Sequence, residues 1–323
     1  MSKMNFIWID DDPERADNAA TLQEALEINC SFIDLKSNSD VMKEVLQGEE
    51  PALILIDHNL QDISSGDFRK GSTVAAFIRE TWLECPIICI TGEDLETVDS
   101  NKRDQYEEII PINKISDYYS ILQSIADTFH ILQKKRPKTV ADLLSLIAPP
   151  AIEADRLTAI MPNEIKENFT DNSLLLEICH WVRKTLVNRP GFLYNQLWVS
   201  TLLGVKEESF YKIAELFEPA EYQGIFYSAQ TKRWWKSKVL AILYDIVEVE
   251  GLPWEKGRNL PGLNPGDFSV CYASNAPFPE TVAFVDETKS AVAVPMKLQH
   301  TITHPNYDGL LFFEELRMMK PAE

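Results

Sequence analysis

The chain has 323 residues, of which 45% are hydrophobic and 25% charged, with a formal net charge of −19. The length predicts two domains, since single cores stop growing near about 250–300 residues, and the composition is that of an ordinary globular protein. No apolar run approaches the ~20 residues of a membrane span, and the apolar stretch Phe6–Ile9 runs straight into three aspartates, which excludes a signal peptide and predicts a cytoplasmic chain.

In chain order, the first half alternates short apolar runs with amphipathic stretches. The runs are Asn5–Ile9, Cys30–Leu35, Ala52–Ile56, Pro86–Ile90 and Ile109–Ile112. They are rich in Ile and Leu with little alternation, as expected of strands buried on both faces. Between them lie helix candidates. Pro13–Glu27 opens on Asp12-Pro13, an N-cap followed by proline at the first helical position. Ser39–Leu46, Ser72–Trp82 and Asp117–Leu132 follow. Five strands alternating with helices predict a doubly wound α/β sheet over residues 1–132, with its ligand site at the carboxyl ends of the strands.

The basic, proline-bearing stretch Gln133–Lys138, a short helix at Val140–Ile147 and the pair Pro149-Pro150 predict a linker over 133–150. Residues 151–323 are expected to form a second, mixed and mainly helical α+β domain. Its helix candidates are Ser173–Val187, Leu197–Leu203, Glu208–Phe217 and Lys232–Val247, followed by short strands at Phe268–Ala273, Val282–Val285 and Ala291–Val294.

Charge is uneven between the halves. Residues 1–133 carry 10 Lys/Arg against 26 Asp/Glu, and the remainder carries 21 against 24. An acidic surface repels phosphate backbones, so nucleic acid is disfavoured as a partner. The five cysteines form no CxxC pair and read as reduced core thiols.

The informative residues of the first half fall at strand ends. Strand one ends in Asp10-Asp11, strand three in Asp57, strand four in Thr91 and strand five in Lys114. Carboxylates crowded together raise one another's pKa unless a cation sits among them. With all-oxygen ligands and a phosphate to bind, Mg²⁺ is the natural ion. Charge then sets the roles: Asp57 as nucleophile, Lys114 as a neutralising cation and Thr91 as a hydroxyl donor to the transferring group.

Asp10-Asp11, Asp57, Thr91-Gly92 and Lys114 resemble the signature of the response-regulator receiver family, over about residues 4–132. The resemblance implies a flavodoxin-like parallel sheet in the order 2-1-3-4-5, Mg²⁺ dependence, and a histidine kinase or phosphotransfer protein as donor. It also implies Asp11 and Asp57 as direct metal ligands, Asp10 as a water-mediated one and Asn59 as a ligand through its main-chain carbonyl. The chain departs from the family at Gln61 and Ile115, which stand where prolines are usual, and at Pro111, which stands where an aromatic switch residue is usual. The segment Glu93–Glu108 is highly charged, so the fourth helix is expected to be short or irregular. Asn59 and Glu93 sit at positions that in the family tune the lifetime of the acyl phosphate, or are ordinary polar loop residues.

No enzyme signature stands in the second half, which is expected to be non-enzymatic, the output being protein–protein contact or simply the draining of phosphoryl groups from a shared kinase. His300 and His304 lack the HExxH pattern. Val199–Ile213 reads like a helix-turn-helix, the alternative being a DNA-binding regulator, but its second helix opens with Glu207-Glu208, which would face phosphates. An enzymatic effector in 151–323 that leaves no motif is the remaining alternative. Arg233–Lys238 is a basic-aromatic cluster, read as a helix start with its tryptophans in the core, as a protein-binding patch or as a base-stacking surface.

Overall fold

The computed structural model describes residues 3–35, 46, 48–60, 70–92, 105–171, 174–228, 231–270, 281–285 and 291–295. All but the last residue of the expected helix at Ser39–Leu46, the positions Gln61, Glu93, Cys271, His300 and His304, and most of Glu93–Glu108 lie outside the described residues.

The first strands form as their apolar runs predict. They are β1 (Asn5–Asp10), β2 (Asn29–Asp34), β3 (Leu53–Asp57), β4 (Ile87–Thr91) and β5 (Glu108–Pro111), all parallel and in the order β2-β1-β3-β4-β5. This is the doubly wound, flavodoxin-like sheet expected. Among the described residues, three helices flank it: α1 (Ala16–Leu26), α2 (Gly71–Arg79) and α3 (Tyr119–Lys134). Asp12 caps the entry to α1, its side chain accepting from the Glu14 amide at 3.1 Å, with Pro13 in the first turn.

Alternation along each strand divides the core into two layers. Ile9, Ile33, Ile54, Ile56, Ile87 and Cys89 pack with Val74, Ala75 and Ile78 of α2. Phe6, Trp8, Leu53, Leu55, Ile88 and Ile90 alternate to the opposite face and are equally buried, as are Leu22 of α1 and Leu122, Ile125 and Phe129 of α3. Each such side chain contributes about 1.5–3 kcal/mol by leaving water. Covering on both faces is why these strands read as continuous apolar runs.

The chain divides into two compact units, and the division does not follow the expected linker at 133–150. The first unit holds Met1–Ala148, Ala154–Thr185 and Gln223–Gln230. Beyond the sheet it contains α4 (Val140–Ile147), most of α5 (Ala151–Ile160), α6 (Asn163–Glu167) and α7 (Leu174–Trp181), the last continuing into a π-helical stretch, Val182–Val187. Helix α7 packs on α3, and the segment from Gln223 lies against both α3 and α4. The Phe226 amide donates to Thr128 Oγ1 at 2.8 Å and the Ile225 amide to the Leu146 carbonyl at 3.0 Å. Helices beyond residue 150 therefore complete the unit that contains the sheet. The Pro149-Pro150 pair ends α4 without separating all that follows it.

The second unit holds Pro149–Glu153, Leu186–Tyr222 and Thr231–Glu323. It is mainly helical, with the strand pair β6 (Leu193–Tyr194) and β7 (Trp234–Trp235), and with α8 (Gln196–Leu203), α9 (Lys236–Ile246) and α10 (Pro253–Gly257). A further antiparallel pair, β8 (Thr281–Val285) and β9 (Ala291–Pro295), falls where short strands were expected. Its core collects Val199, Leu203, Phe210, Phe217, Trp234, Val239 and Leu243.

The helix-turn-helix expectation at Val199–Ile213 fails on its second element. Helix α8 ends on Gly204 at φ +65°, but Glu207–Lys212 is a 3₁₀ helix, as is Ala214–Ala220, which contains Pro219. Tertiary contacts decide this. Ser209 Oγ donates to Asp267 Oδ1 at 2.9 Å, Lys212 Nζ to the same oxygen at 2.6 Å, and Phe210 is buried against Trp234. The second element therefore offers no α-helical face to a groove. Trp234 and Trp235 are both buried, with Trp235 edge-on to Tyr222, so the basic-aromatic cluster follows the reading that places its tryptophans in the core.

Candidate phosphoacceptor site

Each residue of the site is set by a strand end. Asp10 is the last residue of β1 and Asp11 follows it; Asp57 ends β3 and Thr91 ends β4. Because neighbouring parallel strands end in step, the carboxyl edge gathers them. One ligand oxygen each from Asp10, Asp11 and Asp57 lies within 4.8 Å of the others. Asp10, Asp11 and Thr91 are buried, and Asp57 is half-buried.

Local hydrogen bonds hold the carboxylates. Asp10 Oδ2 accepts from the Trp8 indole at 3.3 Å and Asp10 Oδ1 from the Asp12 amide at 2.9 Å. Asp57 Oδ2 accepts from the Asn59 amide at 2.8 Å. These bonds do not offset the cost of crowding. Burial, then the charges of Asp10 and Asp11, push Asp57 up to about 7 against a weaker lowering by the Asn59 and His58 amides. Burial likewise raises Asp10. An anionic, all-oxygen cluster that strains against its own charge is the donor set of a hard divalent cation, and Mg²⁺ fits it.

The remaining expected residues are arranged differently from one another. Thr91 is paired directly with Pro111 across β4 and β5. The position where the family's aromatic switch is usual thus lies beside the threonine and holds a proline. Lys114 is exposed on a 3₁₀ helix, Ile112–Tyr118, and among the described residues it has no ion-pair partner.

Two residues here are not among those expected from sequence. The amide of Gly71 donates to the His58 carbonyl at 3.0 Å, and a Cβ at Gly71 would meet the Asp57 carbonyl oxygen at 2.2 Å. Only glycine lets the start of α2 approach the end of β3 so closely. Lys70, just before it, is half-buried and donates from Nζ to Asn59 Oδ1. The signal for both in sequence is slight: a lone Lys-Gly pair at the head of a predicted helix, some distance from the motif.

Several solved structures similar to the first part of this chain are receiver domains. One is the N-terminal domain of a response regulator/sensory box/GGDEF three-domain protein from Carboxydothermus hydrogenoformans, 18% identical, covering 40% of this chain and 96% of that one, with a TM-score of 0.32. Another is a CheY-like response-regulator receiver domain from Methylobacillus flagellatus, 16% identical, covering 38% and 99%, with a TM-score of 0.32. A third is the receiver domain of a sensor histidine kinase from Pseudomonas aeruginosa with a magnesium ion coordinated in its active-site cleft, 16% identical, covering 39% and 99%, with a TM-score of 0.33. No family model matches the chain, and no curated protein matches it. Among the described residues, no helix is long and apolar enough to cross a membrane.

Proposed function

We propose that the chain is a two-component response regulator that accepts a phosphoryl group on Asp57 from a histidine kinase or phosphotransfer protein. The observation that carries this is the meeting of the Asp10, Asp11 and Asp57 carboxylates at the carboxyl ends of β1 and β3, with Thr91 at the end of the next strand.

The Asp57 carboxylate oxygen attacks phosphorus on the donor's phosphohistidine. The P–O bond forms as the P–N bond breaks, and the electron pair leaves with the imidazole. Thr91 donates its hydroxyl to a phosphoryl oxygen, and Lys114 turns in from its exposed 3₁₀ helix to neutralise another. Asp11, Asp57 and the Asn59 main-chain carbonyl would hold Mg²⁺, with Asp10 assisting through water, and the bound ion would supply charge neutralisation. The residues beyond the sheet act by contact with a protein partner, or the chain simply drains phosphoryl groups from a shared kinase. Neither an enzymatic activity of residues 151–323 nor a nucleic-acid partner is part of this reading.

Acetyl phosphate with Mg²⁺ tests it directly. Wild type should form one acid-labile adduct and take up beryllium trifluoride, and Asp57→Asn should do neither. An adduct that persists in Asp57→Asn would defeat the assignment.

A further inference from the structure

The geometry points to Lys70 as a second cation of this site, one that binds the incoming phosphoryl oxygens while holding the side chain of Asn59. The inference rests on the phosphoacceptor reading above.

The first support is the backbone. Gly71 is bonded to the His58 carbonyl and packs on the Asp57 carbonyl oxygen so tightly that it has no room for a Cβ. Residue 70 is one peptide away, about 3.8 Å between Cα atoms. Its main chain is therefore fixed beside the phosphoacceptor.

The second support is the side chain. Lys70 is half-buried, and its Nζ donates to Asn59 Oδ1, while the amide of that same Asn59 donates to Asp57 Oδ2 at 2.8 Å. The ammonium is thus bonded to the side chain of the same residue whose amide holds the Asp57 carboxylate. An ammonium has three donors. With one on Asn59, the others are left for anionic oxygens, and the four-carbon stem gives them reach.

The third support is charge. The site gathers three carboxylates, and a phosphoryl group adds further negative charge. Lys114 is exposed, whereas Lys70 is half-buried and already bonded to Asn59.

A cation at this position acts in opposite senses on the two ligands of the site. It repels Mg²⁺ and attracts the phosphoryl group. A lysine that only supported the loop would weaken both when removed. The experiment compares full-length wild type, Lys70→Ala and Lys70→Arg. Mg²⁺ titration can be followed by tryptophan fluorescence, since the Trp8 indole is bonded to Asp10. Phosphoryl recognition is followed by beryllium trifluoride uptake in saturating Mg²⁺.

Lys70→Ala should bind Mg²⁺ about threefold more tightly, as a nearby like charge is removed, and beryllium trifluoride about tenfold more weakly, as a charge-assisted hydrogen bond is lost. Lys70→Arg should recover most of the second loss. Unchanged beryllium trifluoride affinity in Lys70→Ala, or a loss in both titrations, overturns the assignment. A wild type that binds Mg²⁺ but takes up no phosphoryl analogue refutes the phosphoacceptor reading itself, and this inference with it.

Discussion

Arg183 Nη1 donates to the main-chain carbonyl of Glu107 at 2.9 Å, and Nη2 of the same guanidinium pairs with the Glu108 carboxylate. Residues 75 positions apart are thereby joined at the start of β5, the edge strand of the sheet. The Glu107 carboxylate is itself buried, accepting from Arg79 Nη2 at 2.9 Å and from the Ile87 amide, with His180 Nε2 3.4 Å away. A buried cluster of charges thus ties α2, β5 and the end of α7 together.

Arg183→Ala should therefore destabilise the first unit. It removes a buried hydrogen bond and one member of a mostly buried ion pair, a loss of about 2–3 kcal/mol. Arg183→Lys should recover little, because an ammonium cannot reproduce the fork that spans a carbonyl and a carboxylate. Urea unfolding of the full chain, followed by circular dichroism, checks this; a midpoint equal to wild type in Arg183→Ala would show that the contact contributes nothing.

Gly71→Ala should injure the site more than the sheet. A Cβ at 2.2 Å from the Asp57 carbonyl oxygen must push α2 away from β3. We expect a stability loss of about 1–3 kcal/mol, typical of overpacking, together with weaker Mg²⁺ binding because Asn59 and Asp57 shift. Thermal melts and Mg²⁺ titration of the variant test the pair of effects, and normal Mg²⁺ affinity would contradict the second.

The raised Asp57 makes the metal-free protein's stability depend on pH with a definite sign. The folded state holds a proton on Asp57 up to about pH 7, whereas an unfolded aspartate releases it near 3.8. The favourable contribution is full below the unfolded value and is lost as pH rises through about 7. Asp57→Asn should accordingly match wild type near pH 4 and exceed it at pH 8 in chelator, by on the order of 2–4 kcal/mol. Saturating Mg²⁺ should close the gap by stabilising wild type. Denaturant melts at both pH values, with and without Mg²⁺, decide it; an Asp57→Asn advantage that is equal at pH 4 and pH 8 would be incompatible with burial of a charged carboxylate as its cause.

Phosphoryl binding should leave the rest of the first unit largely unchanged. The residue paired with Thr91 on β5 is Pro111, and a proline ring has neither the reach nor the rotamers to follow a moving threonine. A change transmitted across a domain needs an element with two comparably packed arrangements, and the usual one is missing here. Hydrogen exchange of the free and beryllium-trifluoride-bound chain should show protection confined to the segments around Asp10, Asp57, Thr91 and Lys114. Large changes beyond residue 150 would restore a phosphorylation-driven output and defeat the draining reading.

The parallel sheet and its carboxylates are legible in the sequence. Strands such as Leu53–Asp57 and Ile87–Thr91 are buried on both faces, so burial writes itself into the chain as short unbroken apolar runs, and the run's end marks where a functional side chain emerges. Asp10, Asp57 and Thr91 could be placed together for that reason alone. Other features depend on which distant segment covers which surface, and no local pattern encodes that. Glu207–Lys212 carries helical spacing yet winds as a 3₁₀ helix, because Asp267, 55 positions from Lys212, fixes its polar groups. The stretch at 133–150 looks like a linker, yet α7 and Arg183 return to the sheet's unit because Glu107 and the surface of α3 need covering. Lys70 belongs to the site only through the close approach that Gly71 permits, a relationship between backbones that sequence spacing does not carry.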